Sequence, residues 1–137
     1  MTTDLKGKVA LITGASTGIG AAAAIAFARA GSKVMVHYNA SREAAEDVVK
    51  AIAGAGGEAA SVGGDVMEEA DVKRIVAQTL SRFGRIDILV NNAGGMLGRV
   101  KIEEYTVEHI NRVLALNCTQ VALFMREVVP VMKKQKA

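Results

Sequence analysis

Four short apolar stretches recur along the chain at intervals of about 25 residues, beginning near Val9, Val34, Ala59 and Ile86. A segment with the periodicity of an amphipathic helix separates each stretch from the next. Unbroken apolar runs suit strands buried on both faces of a parallel sheet, and alternating strands and helices form right-handed βαβ units. We therefore predict an α/β fold, in which a doubly wound parallel sheet has the strand order 3-2-1-4 and helices cover both faces.

A glycine-rich turn follows the first apolar stretch. Residues 8–20 read KVALITGASTGIG, in which Gly14, Gly18 and Gly20 lead into an alanine-rich helical segment. Unpaired N–H groups at a helix N-terminus attract anions, and glycine lets backbone approach a phosphate closely. The turn therefore predicts a pyrophosphate site. Taken alone, its G-x-x-x-G-x-G spacing also suits an ordinary strand-to-helix connection, because it differs from the commoner G-x-G-x-x-G.

Composition excludes several classes of function. A net charge of +3 is spread along 137 residues without a basic stripe, so we expect no nucleic-acid partner. No apolar leader begins the chain and no apolar run approaches membrane-spanning length, so we expect no membrane partner and a cytoplasmic location. Cys118 is the only cysteine, and neither His37 nor His109 has a second ligand at metal-binding spacing. We therefore predict no disulfide within the chain and no metal site.

Polar residues follow the later apolar stretches or interrupt the last helical segment. Asp65 comes after the third stretch, Asn91 and Asn92 come after the fourth, and Asn117 breaks an apolar helical stripe. Because the carboxyl ends of parallel strands meet at one edge of a sheet, Asp65 and the two asparagines are expected beside the glycine turn. Each also suits a structural role: Asp65 as an N-terminal helix charge, the asparagines as loop residues, and Asn117 as a core amide.

Together these motifs resemble those of the short-chain dehydrogenase/reductase family, in particular its members similar to 3-oxoacyl-acyl-carrier-protein reductases. The resemblance is carried by residues 13–20 (TGASTGIG), Asp65-Val66, residues 91–94 (NNAG) and Leu116-Asn117, in the family's order. It covers essentially all 137 residues. It implies a Rossmann-type dinucleotide-binding domain over residues 1–137, truncated before the fifth strand, and hydride transfer between NAD(P)(H) and a carbonyl or alcohol substrate.

The resemblance also implies roles for individual positions. Asn117 corresponds to the family's active-site asparagine. The positions implied to bind the cofactor are Gly14, Ser16, Thr17, Gly18, Ile19, Gly20, Tyr38, Asn39, Ser41, Arg42, Asp65, Val66, Asn91, Ala93 and Gly94.

The end of the second strand decides between NAD and NADP. A carboxylate there would bind a ribose 2′-hydroxyl, whereas a nearby arginine accommodates a 2′-phosphate. Tyr38 and Asn39 occupy these positions and Arg42 follows, so we expect NADP(H) rather than NAD(H). Arg42 can otherwise be an ordinary surface charge at a helix start.

The family's catalytic serine, tyrosine and lysine have no match among these residues. Its tyrosine is followed by a lysine four residues later, but Tyr38 is followed by Arg42 and Tyr105 by His109. The 137-residue chain alone is therefore expected to be inactive, with the chemistry supplied by polypeptide that the sequence does not include. The alternative is a truncated product that binds nucleotide or self-associates without catalysis.

A long helix is predicted from Thr106 onward. Apolar residues follow its main stripe and two further arcs, so the helix is apolar around most of its circumference. The main stripe comprises Ile110, Leu114, Asn117, Val121, Phe124 and Val128. One sheet cannot cover such a helix, so a second partner is needed, either more of its own chain or another subunit. We predict a homo-oligomer that associates through this helix.

Overall fold

The sheet has four parallel strands in the order β3-β2-β1-β4, so the predicted strand order is confirmed. The structure is a computed structural model that describes residues 4–136. The strands are β1 (Val9–Ile12), β2 (Lys33–Tyr38), β3 (Ala59–Gly63) and β4 (Ile88–Val90). The first three helices are α1 (Gly18–Arg29), α2 (Arg42–Gly54) and α3 (Glu69–Phe83). The last helix runs through α4 (Val107–Leu114), a π-turn (Ala115–Thr119) and α5 (Gln120–Gln135).

Alternate residues of β1 point to opposite faces of the sheet and enter separate cores. Leu11 belongs to the core formed with α3 and α5, whereas Ala10 and Ile12 belong to the core formed with α1 and α2. All four residues of β1 are buried. This double burial explains why the strand is an unbroken apolar run rather than an alternating one.

Two local details differ from the sequence expectations. The fourth strand starts at Ile88 instead of Ile86, because the Gln135 side chain takes both hydrogen-bonding groups of the Ile86 backbone, at 3.0 and 2.8 Å. Ser41 stands at the N-terminal capping position of α2, where serine is a favoured residue, but its side chain makes no capping hydrogen bond. Within residues 4–136, β4 pairs only with β1 and forms an edge of the sheet.

The last helix does not keep one apolar stripe. Phe124 and Val128 are buried, but Ile110 and Leu114 are 41% and 49% exposed. The π-turn between these two pairs adds a residue to one helical turn and so rotates α4 relative to α5. The expected continuous stripe is therefore wrong.

The helix Val107–Gln135 is also long and apolar enough, by length and composition, to cross a membrane. The expectation that no stretch approaches that length is wrong for this segment. The core helix of a globular protein can have the same length and composition.

Candidate functional site

The connections that follow all four strands open onto one cleft of about 820 Å³ at the carboxyl edge of the sheet. The strand order reverses between β1 and β4, and crevices form at such a point because neighbouring connections leave in opposite directions. Eleven of the predicted cofactor-binding residues line the cleft: Gly14, Ser16, Thr17, Gly18, Ile19, Asn39, Ser41, Asp65, Val66, Ala93 and Gly94. Gly20, Tyr38, Arg42, Asn91 and Asn117 do not line it.

The glycine turn presents the N-terminus of α1 to the cleft. Gly14 and Gly18 adopt φ values of 60° and 56°, which glycine reaches without steric cost. Thr17 precedes the helix in an extended conformation and its side chain does not cap it. The N–H groups of the first helical turn are thus left uncapped by this side chain, at the positive end of the helix dipole.

Gly20 acts in packing rather than as part of the cleft wall. A Cβ atom at this position would overlap the Gly14 carbonyl oxygen and lie 2.5 Å from the Asn92 side-chain nitrogen. The first turn of α1 therefore rests directly on the backbone of the glycine turn and on the side chain of Asn92, which follows β4.

Thr13 and Asn92 join the ends of the two central strands. The Thr13 hydroxyl accepts hydrogen bonds from the N–H groups of Asn92 and Ala93, both at 3.0 Å. In return, the Asn92 amide donates to the carbonyl oxygens of Thr13 at 3.1 Å and Gly14 at 2.9 Å. Asn92 was expected beside the glycine turn, but neither Thr13 nor Asn92 was among the predicted cofactor-binding positions. The signal available in the sequence is their place within the two motifs, since Thr13 belongs to residues 13–20 and Asn92 to residues 91–94.

His37 was also missed, because its two flanking residues carry no recognisable motif. Its side chain is 1% exposed and lies between two glycine turns. Nδ1 accepts from the Gly14 N–H at 3.0 Å, and Nε2 is 2.8 Å from the Gly64 carbonyl oxygen. Burial lowers the pKa of His37 below its usual value, because an imidazolium loses hydration in the interior.

The loop after β3 forms the far end of the cleft. Asp65 accepts the Met67 N–H through Oδ1 at 2.9 Å, and its own N–H donates to Asp71 at 2.8 Å. This backbone bond and the Arg74 guanidinium hold the pKa of the Asp71 carboxyl below its usual range. Asp65 thus lines the cleft and also supports the turn that leads into α3, so both interpretations of this residue are compatible with its position.

Of the cofactor-binding residues predicted at the end of β2, some line the cleft and others do not. Asn39 and Ser41 line the cleft, whereas the Tyr38 ring packs over Gly63, where a Cβ atom would lie 2.8 Å from ring carbons. Arg42 is exposed at the first position of α2.

Asn117 lies in the π-turn and holds the loop that follows β4. Its Nδ2 donates to the carbonyl oxygens of Gly95 at 2.6 Å and Val113 at 2.8 Å, and its Oδ1 accepts from the Gly95 N–H at 3.0 Å. The residue is exposed, so a role as a core amide is wrong.

Three further polar side chains near this loop bear on the site. Gln120 is fully buried and donates to the Ala93 carbonyl oxygen at 3.0 Å, while its Oε1 has no partner among the described residues. The Asn91 Oδ1 is likewise buried without a described partner. Arg112 of α4 lines the cleft, as does Leu116, and was not predicted.

Among residues 4–136, no group of three or more His, Cys, Asp or Glu side chains is arranged for a metal ion.

Comparisons with known proteins agree with this geometry. Residues 8–137 match the family model described as short chain dehydrogenase. A 3-oxoacyl-[acyl-carrier-protein] reductase from Synechocystis is 44% identical over 139 residues, which cover 98% of this chain and 54% of that protein. A Thermotoga maritima protein described as an uncharacterized oxidoreductase is 43% identical over 132 residues, covering 96% of this chain and 51% of that protein.

A solved structure has the same architecture. The hydroxysteroid dehydrogenase from Escherichia coli superimposes with a TM-score of 0.90 at 36% identity, covering 98% of this chain and 56% of that one. The chain therefore spans about half the length of the curated relatives that it matches.

Proposed function

The chain belongs to the short-chain dehydrogenase family, and we propose that its cleft binds the ADP part of NADP(H). The whole protein would then be an oxidoreductase that moves hydride between this cofactor and a small carbonyl or alcohol substrate. One observation carries the proposal: the N-terminus of α1, uncapped by Thr17, opens beside the glycine turn into the cleft where the strand order reverses. An anionic pyrophosphate is stabilised by such a helix end.

Different residues of the cleft would contact different parts of the cofactor. Ser16, Thr17 and Gly18 would receive the pyrophosphate, and Asn39 and Ser41 the adenosine ribose. Asp65 and Val66 would bound the adenine. The bound nicotinamide would supply the hydride acceptor or donor. The residues of this chain would hold the ADP part at a fixed distance from the loop after β4.

The preference for NADP(H) over NAD(H) rests on charge at the end of β2. Asn39 and Ser41 line the cleft there, and neither carries a carboxylate that would repel a 2′-phosphate. Arg42 follows at the start of α2 and is exposed. Its guanidinium would form a charge-assisted pair with such a phosphate.

Catalysis requires an acid/base group that the two tyrosines of this chain do not supply. The Tyr38 ring packs over Gly63, and Tyr105 lies against His109 with 5.2 Å between ring centroids. Neither has a lysine partner four residues later. We propose that the 137-residue chain alone binds nucleotide without turnover, and that Asn117 supports the active site through the loop it holds.

The last helix is the proposed surface for self-association. Met125 and Val129 are 48% and 38% exposed on α5, and Leu114 is 49% exposed on α4. A second copy could cover these apolar side chains. We also propose that the protein is cytoplasmic and has no nucleic-acid or membrane partner.

Titration of the 137-residue chain with NADPH tests the proposal. We expect saturable binding, measured by calorimetry or nucleotide fluorescence, and no reduction of carbonyl substrates. Gly14→Val should abolish binding, because a side chain at φ 60° is strained and its Cβ would lie 3.0 Å from the Ala93 backbone. Gly54→Ala, at a position with open space around it, is the matched control. Unchanged NADPH affinity in Gly14→Val would reject the assignment.

A further inference from the structure

We infer that His37 is a positioning residue for the dinucleotide, because its ring sets the separation between the turn that receives the pyrophosphate and the loop that bounds the adenine. The inference deepens the proposed function and rests on it. His37 lies near the end of β2, and β2 lies between β1 and β3 in the sheet. It is therefore placed to contact both connections at once.

Each of the two ring nitrogens of His37 has one hydrogen-bond partner. The Gly14 N–H donates to Nδ1 at 3.0 Å, and Nε2 lies 2.8 Å from the Gly64 carbonyl oxygen. Only the neutral ring with its proton on Nε2 satisfies both partners. The Ala15 N–H adds a backbone bond to the His37 carbonyl oxygen at 2.8 Å. The phosphate turn is thus held by both the backbone and the side chain of the same residue.

Both contacted turns border predicted cofactor contacts. Gly14 begins the phosphate turn, and Gly64 directly precedes Asp65 in the loop at the far end of the cleft. A ligand that touches both turns binds more tightly when their separation is already correct, since no free energy is spent on ordering them. Removing the ring would leave the Gly14 N–H and the Gly64 carbonyl oxygen without this link.

Protonation of the ring would break the same link. A proton on Nδ1 would point at the Gly14 N–H, and two donors cannot form a hydrogen bond. Burial lowers the pKa of His37 and the nearby Arg74 lowers it further, while the hydrogen bond to the Gly64 carbonyl oxygen and the carboxylates of Asp65 and Asp71 oppose these effects. Gly14 and Gly64 themselves carry no titratable group. The ring is therefore neutral at pH 7, and the positioning effect is lost only as pH falls below the ordinary histidine value of about 6.5.

Two substitutions separate positioning from a merely structural role. His37→Leu removes both hydrogen bonds, whereas His37→Asn keeps an uncharged acceptor near the place of Nδ1. ADP-ribose is a suitable probe because it spans the pyrophosphate and adenine ends and has no phosphate that titrates between pH 5 and 8. At pH 7.5 we expect the Kd of His37→Leu to rise about tenfold, about 1.4 kcal/mol, and that of His37→Asn to stay within about threefold of wild type.

The control is Val48→Ala, which removes core volume on α2 away from the cleft. It should lower the free energy of unfolding and leave the Kd for ADP-ribose unchanged. As pH falls below 6.5, the wild-type Kd should rise once the His37 ring gains a proton, while that of His37→Asn stays flat. The inference is overturned if His37→Leu binds as tightly as Val48→Ala, if Asn fails to rescue, or if the two pH profiles coincide. Absence of ADP-ribose binding by the wild-type chain would instead reject the proposed function itself.

Discussion

The side-chain amide of Asn92 donates a hydrogen bond to the carbonyl oxygen of Gly14 across 2.9 Å. These residues are 78 positions apart in the chain, and the contact fixes the end of β4 against the glycine turn that follows β1. The same amide nitrogen also donates to the Thr13 carbonyl oxygen at 3.1 Å. The geometry of the glycine turn thus depends on a residue from the opposite side of the cleft.

Asn92→Asp should destabilise the protein strongly. The new carboxylate would face the Thr13 and Gly14 carbonyl oxygens with no proton to donate, and we expect a loss of about 2–3 kcal/mol in the free energy of unfolding. Urea denaturation at pH 7 measures this loss. Asn111→Asp, at an exposed position of α4, should change stability by less than about 0.5 kcal/mol. Similar losses in the two variants would contradict the role of the Asn92 amide.

Gly20→Ala should disrupt the site although it adds a single methyl group. The added Cβ would overlap the Gly14 carbonyl oxygen, so α1 would have to move away from the turn at a cost of about 1–3 kcal/mol. Thermal unfolding and NADPH titration measure the two consequences. Gly54→Ala, where a Cβ meets nothing within 4 Å, should instead stabilise α2 by up to about 1 kcal/mol. An unaltered NADPH affinity in Gly20→Ala would show that the turn tolerates this movement.

Arg42→Glu should change cofactor preference. We expect the Kd for NADPH to rise about five- to tenfold and that for NADH by less than about twofold, because only NADPH carries a 2′-phosphate for the guanidinium. The difference should shrink at high salt, since exposed charges are screened. Lys50→Glu, which changes charge equally at an exposed position further along α2, is the control. Equal weakening of both nucleotides by Arg42→Glu would reject the contact.

Asp87→Asn should reduce stability at neutral pH. The Asp87 side chain is 4% exposed and receives two hydrogen bonds from Arg85, at 2.8 and 2.6 Å, and one from the Val9 N–H at 2.9 Å. Charge-assisted bonds of this kind make the expected loss about 2 kcal/mol. Asp47→Asn, at an exposed position of α2, should be close to neutral when compared by urea denaturation.

The stability contributed by Asp87 should disappear in acid. The Arg85 guanidinium in particular holds the pKa of Asp87 below its ordinary value of 3.8. Between these two pKa values the unfolded chain binds more protons than the folded chain, so stability falls as pH falls through this window. The difference between wild type and Asp87→Asn should therefore be largest above pH 5 and narrow below about pH 4. A difference that stays constant down to pH 3 would show that the Asp87 charge does not contribute.

A double substitution on α5 tests the proposed self-association. Met125→Lys combined with Val129→Lys places two charges on the exposed apolar face, and like charges from two copies would meet across the interface. We expect sedimentation velocity to show dissociation to monomers, with nucleotide affinity unchanged. Gln78→Lys, exposed on α3, should leave the assembly intact. An oligomer unaffected by the double substitution would exclude this face of α5.

The sequence determined the architecture and the glycine turn. Strands buried on both faces read as apolar runs such as Val9–Ile12, and helices between them follow a three-to-four-residue period. These patterns are local, and topology rules then leave few arrangements of alternating strands and helices. The glycine turn was recognisable for the same reason, because its conformation depends on residues that are adjacent in the chain.

Tertiary structure alone decided which side chains hold the turn in place. The sequence predicts that Asn92 lies near the glycine turn, but it does not indicate which groups His37 and Asn92 bind. Their side chains bond to Gly14, which is 23 and 78 positions away in the chain. The π-turn around Asn117 likewise broke a stripe that a regular helical period would continue. The physical reason is that hydrogen-bond partners of buried polar groups are chosen by the packing of whole elements, whereas hydrophobic periodicity is set within each element.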